Sequence, residues 1–434
     1  MRVAINRGLS IEIDGVSPQS QIDTGTPVRH VAVLGADFPQ LKPSMRVAVN
    51  DRVRLGDPVF HDRLDPNVKV VAPGSGVVVA IHRGPRRALI SVVIRLEGNA
   101  ICNFERYDTK QIDGLAKAEV RRLLLESGLW SALRARPFER VPASDSEPRW
   151  LFVTAMDTSP GSFNPGIVLE GGAKAFEDGI RVLARLGAEA LYVCHGPGLE
   201  VPLPPELPGV QRIQFQGPHP AGLPGTHVDR LARPTLANEA WHIGYQDVLA
   251  VGRLIRGGEL FTERVISVCG GGARRPRLLR TRLGASLREL LRDDANEGST
   301  VVSGSILSGR AVGEADAFLG RFHQQVSLPE ARQQRNSPWS VLHGMFKPRP
   351  VWSPAGGDPG AGLVPVQAFE RVWPHRTPPV ALLRALLARD TETAEKLGCL
   401  SFAEEDMALL STVCPARLDY GAALRHTLNA IQQE

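Results

Sequence analysis

At 434 residues and 47.0 kDa, the chain has room for two to four domains of roughly 100 to 200 residues each. Its 43% hydrophobic and 22% charged residues, with 43 Gly and 34 Pro, describe a globular protein and exclude collagen-like or low-complexity sequence. No run approaches the roughly 18 apolar residues of a membrane helix, Met1-Arg-Val-Ala-Ile-Asn-Arg lacks the apolar core of a signal peptide, and a net charge of +5 is too small and too dispersed for a nucleic-acid binder, so the chain reads as soluble and not exported.

From Val31 to Leu96 short β-type runs alternate with Gly and Pro: Val31-Ala-Val-Leu, Met45-Arg-Val-Ala-Val, Val68-Lys-Val-Val and Gly76-Val-Val-Val-Ala-Ile. That spacing predicts a small barrel or sandwich. Val49-Asn-Asp-Arg-Val-Arg-Leu-Gly-Asp-Pro-Val-Phe and Val71-Ala-Pro-Gly-Ser-Gly-Val-Val-Val-Ala-Ile look like the two halves of a biotinyl/lipoyl-type barrel-sandwich hybrid, with Gly56 and Gly76 supplying turns that favour a residue without Cβ. A carrier needs a modifiable lysine at a hairpin tip. Lys69, the only lysine nearby, sits in a Val-rich strand, so the expectation is an unmodified, structural barrel.

Val120, Leu123 and Leu124 then fall at i, i+3, i+4, with Arg121, Arg122 and Glu126 on the other face, which predicts a helix ending near Gly128. Trp150-Leu-Phe-Val-Thr-Ala-Met, the helix-like segment from Phe176 to Leu186 and Ala190-Leu-Tyr-Val-Cys-His give strand, amphipathic helix and strand, the order of a parallel α/β layer. Gly244 to Leu254 closes it with a helix. A second β-rich unit opens at Glu263-Arg-Val-Ile-Ser-Val-Cys and continues through Arg277-Leu-Leu-Arg. Residues 334–362 are rich in Pro, Gly and Trp and read as an irregular connection. The tail is helical, with one stripe at Leu383, Leu386 and Leu387 and another at Leu424, Leu428 and Ile431.

Taken together these segments carry a resemblance. Gly128-Leu-Trp-Ser-Ala-Leu-Arg-Ala-Arg-Pro-Phe, Phe152-Val-Thr-Ala-Met-Asp-Thr, Gly217-Pro-His-Pro-Ala-Gly-Leu-Pro-Gly-Thr-His, Trp241-His-Ile-Gly-Tyr-Gln-Asp-Val, Arg280-Thr-Arg-Leu-Gly-Ala-Ser-Leu and Gly398-Cys with Val413-Cys-Pro are collinear with, and similar to, the A-type polypeptides of the sodium-translocating NADH:quinone oxidoreductase, Nqr. The chain more distantly resembles the C-type polypeptide of the Rnf complex. The resemblance implies an α/β multidomain protein: a barrel-sandwich hybrid over 1–105, a Rossmann-like α/β domain over 106–257, a β-grasp domain of the soluble-ligand-binding type over 258–333, and an irregular connection with a helical C-terminus over 334–434. It implies a peripheral location, on the cytoplasmic face of the bacterial inner membrane. The implied partners are the other Nqr subunits, above all the membrane-embedded NqrB, and ubiquinone.

Departures from redox-active relatives bear on cofactors. Flavin-binding relatives place a Gly-Gly-Ala-Gly-Phe-Pro type loop after the first helix, where bare amides approach the flavin phosphate; here no Gly lies between Gly128 and Gly161. Rnf-type relatives carry C-x₂-C-x₂-C-x₃-C-P runs that hold iron–sulfur clusters. Here only Cys399 and Cys414-Pro415 remain in the tail, and the five cysteines include no C-x-x-C. The expectation is a subunit with no flavin, iron–sulfur cluster or metal of its own and no catalytic residue. The competing class is a stand-alone flavin-dependent NADH dehydrogenase.

A quinone site requires an apolar slot with one or two donors. Leu34, Phe38, Leu41, Trp130 and Phe138, beside Arg134, Arg136 and Arg140, are the candidates, against ordinary packing between barrel and α/β domain. Imidazoles suit zinc or iron, but His219, His227 and His242 lack any His-x₃-His spacing and flank Pro220 and Pro224. His219, His227 and His242 therefore read as loop architecture, or as hydrogen-bonding groups for a ligand or partner.

Overall fold

The computed structural model describes residues 1–19, 21–25, 27–205, 207–296, 299–330 and 363–433; the connection expected at 334–362 lies outside the described residues. The barrel is built from two antiparallel sheets. One has the strands His30–Leu34, Leu89–Leu96, Gly76–Arg83 and Arg52–Val53 in that spatial order; the other has Pro43–Met45, Pro58–Asp62 and Lys69–Val71. Alternate residues of the two sheets face each other, so Val31, Val33, Val53, Val59, Phe60, Val70, Val78, Val92 and Ile94 form one buried core. The strand expected from Met45 onward stops at Met45, because Asp51 accepts from the Ala48 N–H at 2.7 Å and the chain reverses at Asn50, φ 77°. Gly56 has φ 93°. Gly76 is needed for a different reason, since a Cβ there would meet the Arg95 carbonyl oxygen at 1.9 Å. Lys69 opens its strand half-buried opposite His61, away from a hairpin tip.

In the α/β unit, Val210–Gln216, Ala190–His195, Pro148–Ala155 and Glu239–Gly244 run parallel in that order. The helix Lys117–Glu126 buries Val120, Leu123 and Leu124 as their spacing requires. Arg121, expected on the solvent side, is half-buried because its guanidinium donates to the Ser144 and Ser146 carbonyls at 2.7 and 2.9 Å. Ala173–Ala184 and Tyr245–Gly257 pack together on the sheet. The antiparallel strand Arg134–Arg136 adds to Glu239–Gly244. At this sheet's heart the rings of Trp130 and Trp241 meet edge to face at 5.3 Å.

The N-terminal segment crosses units before it reaches the barrel. Arg2–Ala4 extends the α/β sheet beside Val210–Gln216, and Ile22–Asp23 joins the sheet of the third unit beside Arg277–Arg282. That third, mixed sheet also contains Glu263–Cys269, Gln325–Ser327, Val302–Ser303 and Arg310–Ala311. The helices Gln367–Val372, Pro379–Ala388, Thr391–Lys396, Ala408–Val413 and Tyr420–Ile431 enclose a core of Phe369, Trp373, Leu382, Leu383, Leu386, Leu410, Leu424, Leu428 and Ile431. Leu387, expected in the first stripe, is instead 40% exposed, and Leu382 takes the inward position.

In the α/β sheet the chain steps outward through three strands, then returns to the other side of the first. Crossovers diverge there, leaving a crevice at the carboxyl ends of Pro148–Ala155 and Glu239–Gly244, where open α/β sheets characteristically bind ligands.

Candidate functional site: a cleft at the switch point

The segment that builds this crevice follows the first long helix. After the edge strand Arg134–Arg136 the chain reverses tightly, with Phe138 (φ 83°) and Glu139 (φ 52°) in the left-handed region and Ala135 and Arg140 exchanging backbone hydrogen bonds at 2.7 and 3.3 Å. The reversal turns Glu139 back beneath its own strand. Its carboxylate accepts from Arg134 Nε at 3.0 Å, lies 2.7 Å from Arg136 Nε, and contacts Nε2 of His242 at 3.1 Å. Burial works to raise the Glu139 pKa, but the fields of Arg136, His242 and Arg134 outweigh it and hold the group well below the usual carboxylate range. Arg136 is fully buried, and its Nη2 reaches Glu405 at 3.6 Å and Asp406 at 3.5 Å. One guanidinium thus ties the α/β unit to the helical unit. Desolvation opposes its charge, yet Glu139, Asp406 and Glu405 together keep it protonated.

Above this cluster opens a cleft of about 180 Å³, shared by the α/β unit, the third unit and Glu405 of the helical unit. Ala132, Met156, Leu223, Ile243 and Phe322 form its apolar part, and the Arg134 guanidinium lies 4.0 Å over the Phe322 ring. Asp247 stands between Arg264 and Arg321, the latter at 2.8 Å. Burial depresses Arg264 to about 10. Glu405 is pushed up to about 8, first by burial and then by the adjacent charges of Asp406 and Glu139. Two buried polar atoms of lining residues have no partner: Thr154 Oγ1 and Gln325 Oε1.

Of the residues weighed from sequence, Arg134 and His242 line this cleft. Arg136 lies behind it, and Arg140 bonds Glu239 at 3.3 Å. Trp130 is buried in the α/β core with its Nε1 donating to the Pro142 carbonyl at 2.9 Å. Leu34 and Phe38 line a separate, smaller cavity of about 60 Å³ between barrel, α/β unit and third unit. Leu41 packs half-buried between the barrel and α/β cores. Phe38 and Phe138 do not share a wall. Phe38 stacks edge to face on Phe60 in the barrel at 6.0 Å, whereas Phe138 is turned by its left-handed backbone into the core of the C-terminal helices. His219 and His227 are buried apart from the cleft. Nδ1 of His219 contacts Thr158 Oγ1 at 3.2 Å, and Nε2 of His227 faces the Ala221 carbonyl at 3.0 Å. Burial depresses them to about 4 and about 3, so both are neutral at physiological pH. No metal-holding group of three His, Cys, Asp or Glu residues occurs among the described residues.

Three family models align with the chain in order: the NqrA N-terminal barrel-sandwich hybrid domain over residues 3–97, the NqrA second alpha/beta domain over 115–260, and the NQRA C-terminal domain over 265–314. Relatives from Shewanella amazonensis, Pseudomonas aeruginosa strain UCBPP-PA14 and Pasteurella multocida are 40%, 43% and 42% identical, each over 100% of both chains. All three are named as the A-type polypeptide of Na(+)-translocating NADH-quinone reductase. The chain belongs to the NqrA family.

Within this NqrA-family chain, sequence reasoning missed most of the cleft: Glu139, Asp157, Asp247, Arg264, Arg321, Phe322 and Glu405 come from separate stretches. Glu139 carried one readable signal, its place in the alternating run Arg134-Ala-Arg-Pro-Phe-Glu-Arg. His242 stands out among the histidines, but its register opposite Arg134, which brings it to Glu139, follows from strand pairing.

Proposed function

We propose that this chain is the peripheral, quinone-associated member of a sodium-pumping NADH:ubiquinone reductase, docked on the membrane-embedded NqrB on the cytoplasmic side of the inner membrane. Its α/β unit is read as Rossmann-like, from the outward-then-return strand order, and its third unit as a β-grasp domain. The observation that carries the proposal is the cleft itself, where an apolar wall with Phe322 and the flat guanidinium of Arg134 face a space of about 180 Å³. That is below the roughly 300 Å³ of a drug-sized pocket. It suits a single substituted ring, with the tail outside. The cavity lined by Leu34 and Phe38, which shares Arg321 with the cleft, is proposed to receive the first tail carbons. Arg136 holds Glu139 and Glu405 of the lining from behind.

The same residues argue for a chain without its own flavin. Where a phosphate would need bare amides, the cleft presents the ionised side chain of Glu139, and like charge at close range costs several kcal/mol, of order 4 at 4 Å near a protein surface. Cys399 and Cys414 are buried in the helical core, Cys414 within 3.2 Å of the Tyr420 hydroxyl, and are proposed to be packing residues. NADH would then be oxidised elsewhere in the complex. No described helix is long and apolar enough to cross a membrane, in keeping with a protein that reaches the bilayer through a partner.

The test is titration of the full chain with a short-chain ubiquinone, read by quenching of tryptophan fluorescence. Arg134→Leu and Phe322→Ala should each weaken binding about tenfold, one tenfold step being about 1.4 kcal/mol. Unchanged affinity in both, or a purified chain that is yellow with stoichiometric flavin, would refute the proposal.

A further inference from the structure

The polar atoms of the cleft are unevenly committed. Each guanidinium in the lining already faces a carboxylate: Arg134 is paired with Glu139, and Arg264 and Arg321 are paired with Asp247. An amide oxygen is left over. Gln325 is 3% exposed, and its Nε2 donates to the Pro160 carbonyl at 2.8 Å and to Ser327 Oγ at 3.0 Å. Ser327 Oγ in turn donates to the Gly304 carbonyl at 2.8 Å. Because a carbonyl only accepts, the Pro160 contact fixes which end of the amide is nitrogen. Gln325 Oε1 is therefore an acceptor without a donor.

Asp157, just past the carboxyl end of the central strand, is a second acceptor in the lining. Its Oδ1 accepts from the Ser159 N–H at 2.8 Å, and no cation lies within ion-pair distance among the described residues. Burial pushes its pKa up, against hydrogen bonds from Ser159 and Thr158 that favour its charged form. Thr154 Oγ1, earlier on the same strand, is also unpartnered among the described residues and, as a hydroxyl, can donate or accept. A buried acceptor left without a donor is unfavourable, and a ligand bringing hydroxyl hydrogens relieves it.

We infer that the cleft selects the reduced, dihydroxy form of its aromatic ligand over the quinone, with the ring hydroxyls donating to Gln325 Oε1 and the Asp157 carboxylate. The inference rests on the reading of the cleft as quinone-associated and sharpens it. A quinone offers only carbonyl acceptors, which would set acceptor against acceptor at these positions, whereas a hydroquinone carries two O–H donors on the same carbon frame. Such a site would raise the potential of the bound couple, by about 30 mV for each tenfold of preference in a two-electron couple.

The experiment is anaerobic titration of the full chain with ubiquinone bearing one isoprenoid unit and, separately, with the corresponding ubiquinol. At least tenfold tighter binding of the quinol is expected. Asp157→Asn, which exchanges an acceptor for an amide that also donates, should shrink that preference by several-fold, by weakening the quinol and by offering the quinone carbonyl a donor. Gln325→Met, which removes the unpartnered acceptor, should act in the same direction and serves as the second variant if Asp157→Asn lowers the melting temperature. Equal or tighter binding of the quinone, or equal weakening of both forms in the variants, would overturn the inference while leaving a quinone-associated cleft intact. Binding of neither form would overturn both readings.

Discussion

The barrel core and the switch-point cleft sit side by side and are built on opposite principles. In the barrel, Val31, Val59, Phe60, Val78, Val92 and Ile94 are buried to 1% exposure or less and pack into one apolar cluster; each contributes roughly 1.5–3 kcal/mol for a fully buried Val, Ile or Phe. The cleft buries charge instead. Arg136, Glu139, Asp406, Asp247 and Arg264 all lie at 6% exposure or less, and each depends on partners supplied by another stretch of chain. Breaking a contact in the barrel leaves a void, whereas breaking one in the cleft leaves an unpaired charge. The first region fixes where the site is, and the second fixes what it can bind.

The sharpest way to break this comparison is Glu139→Ala. It strands Arg136 in the interior, and removing one partner of a buried pair costs about 3–5 kcal/mol, readable by denaturant unfolding at pH 7. The sign with pH follows from its depressed folded-state pKa. The stabilisation from Glu139 is present above the ordinary glutamate value of about 4.3 and is lost as pH falls through the lower folded value. Glu139→Gln should therefore differ from the parent at neutral pH and converge with it in acid. If the two stay parallel across the range, the charge cluster is not what holds the reversal in place.

In the barrel, Phe60→Ala should cost about 3 kcal/mol, within the range for deleting a buried phenyl ring, with no acid dependence and with unchanged affinity for short-chain quinone. A change in affinity as large as the one expected of Phe322→Ala would mean that the two regions are coupled more tightly than their separate cores suggest.

The smallest effect is expected at Glu405, whose pKa is raised to about 8. A raised folded-state value means that stability is full below the unfolded glutamate value and declines as pH rises from there through about 8. Glu405→Gln should flatten that decline and make the variant slightly more stable than the parent at pH 9. A steeper alkaline decline in the variant would reverse the assignment.

What could be read from sequence follows from how local the cause is. The helix Lys117–Glu126 and the strands Pro148–Ala155, Ala190–His195 and Glu263–Cys269 rest on apolar periodicity within a dozen residues, and the fold has them where that pattern puts them. The barrel's strand spacing was legible for the same reason. Leu387 shows the limit: its helix was evident, but which leucine faced inward depended on what the helix packs against.

The cleft belongs to the other class. Glu139 reaches Arg134 and Arg136 only because two successive residues adopt left-handed backbone, and His242 joins them only through cross-strand register. Phe38 and Phe138 look alike in sequence, each beside a proline in an apolar setting, yet they are buried in different cores. Sequence alone determined the strongly periodic elements, the family and the presence of an α/β layer, because periodicity and turn chemistry are written along the chain. Tertiary structure alone decided which charges pair, which acceptors stay free and which aromatics meet, because a buried charge or hydrogen-bonding group is defined by neighbours that arrive from distant parts of the chain.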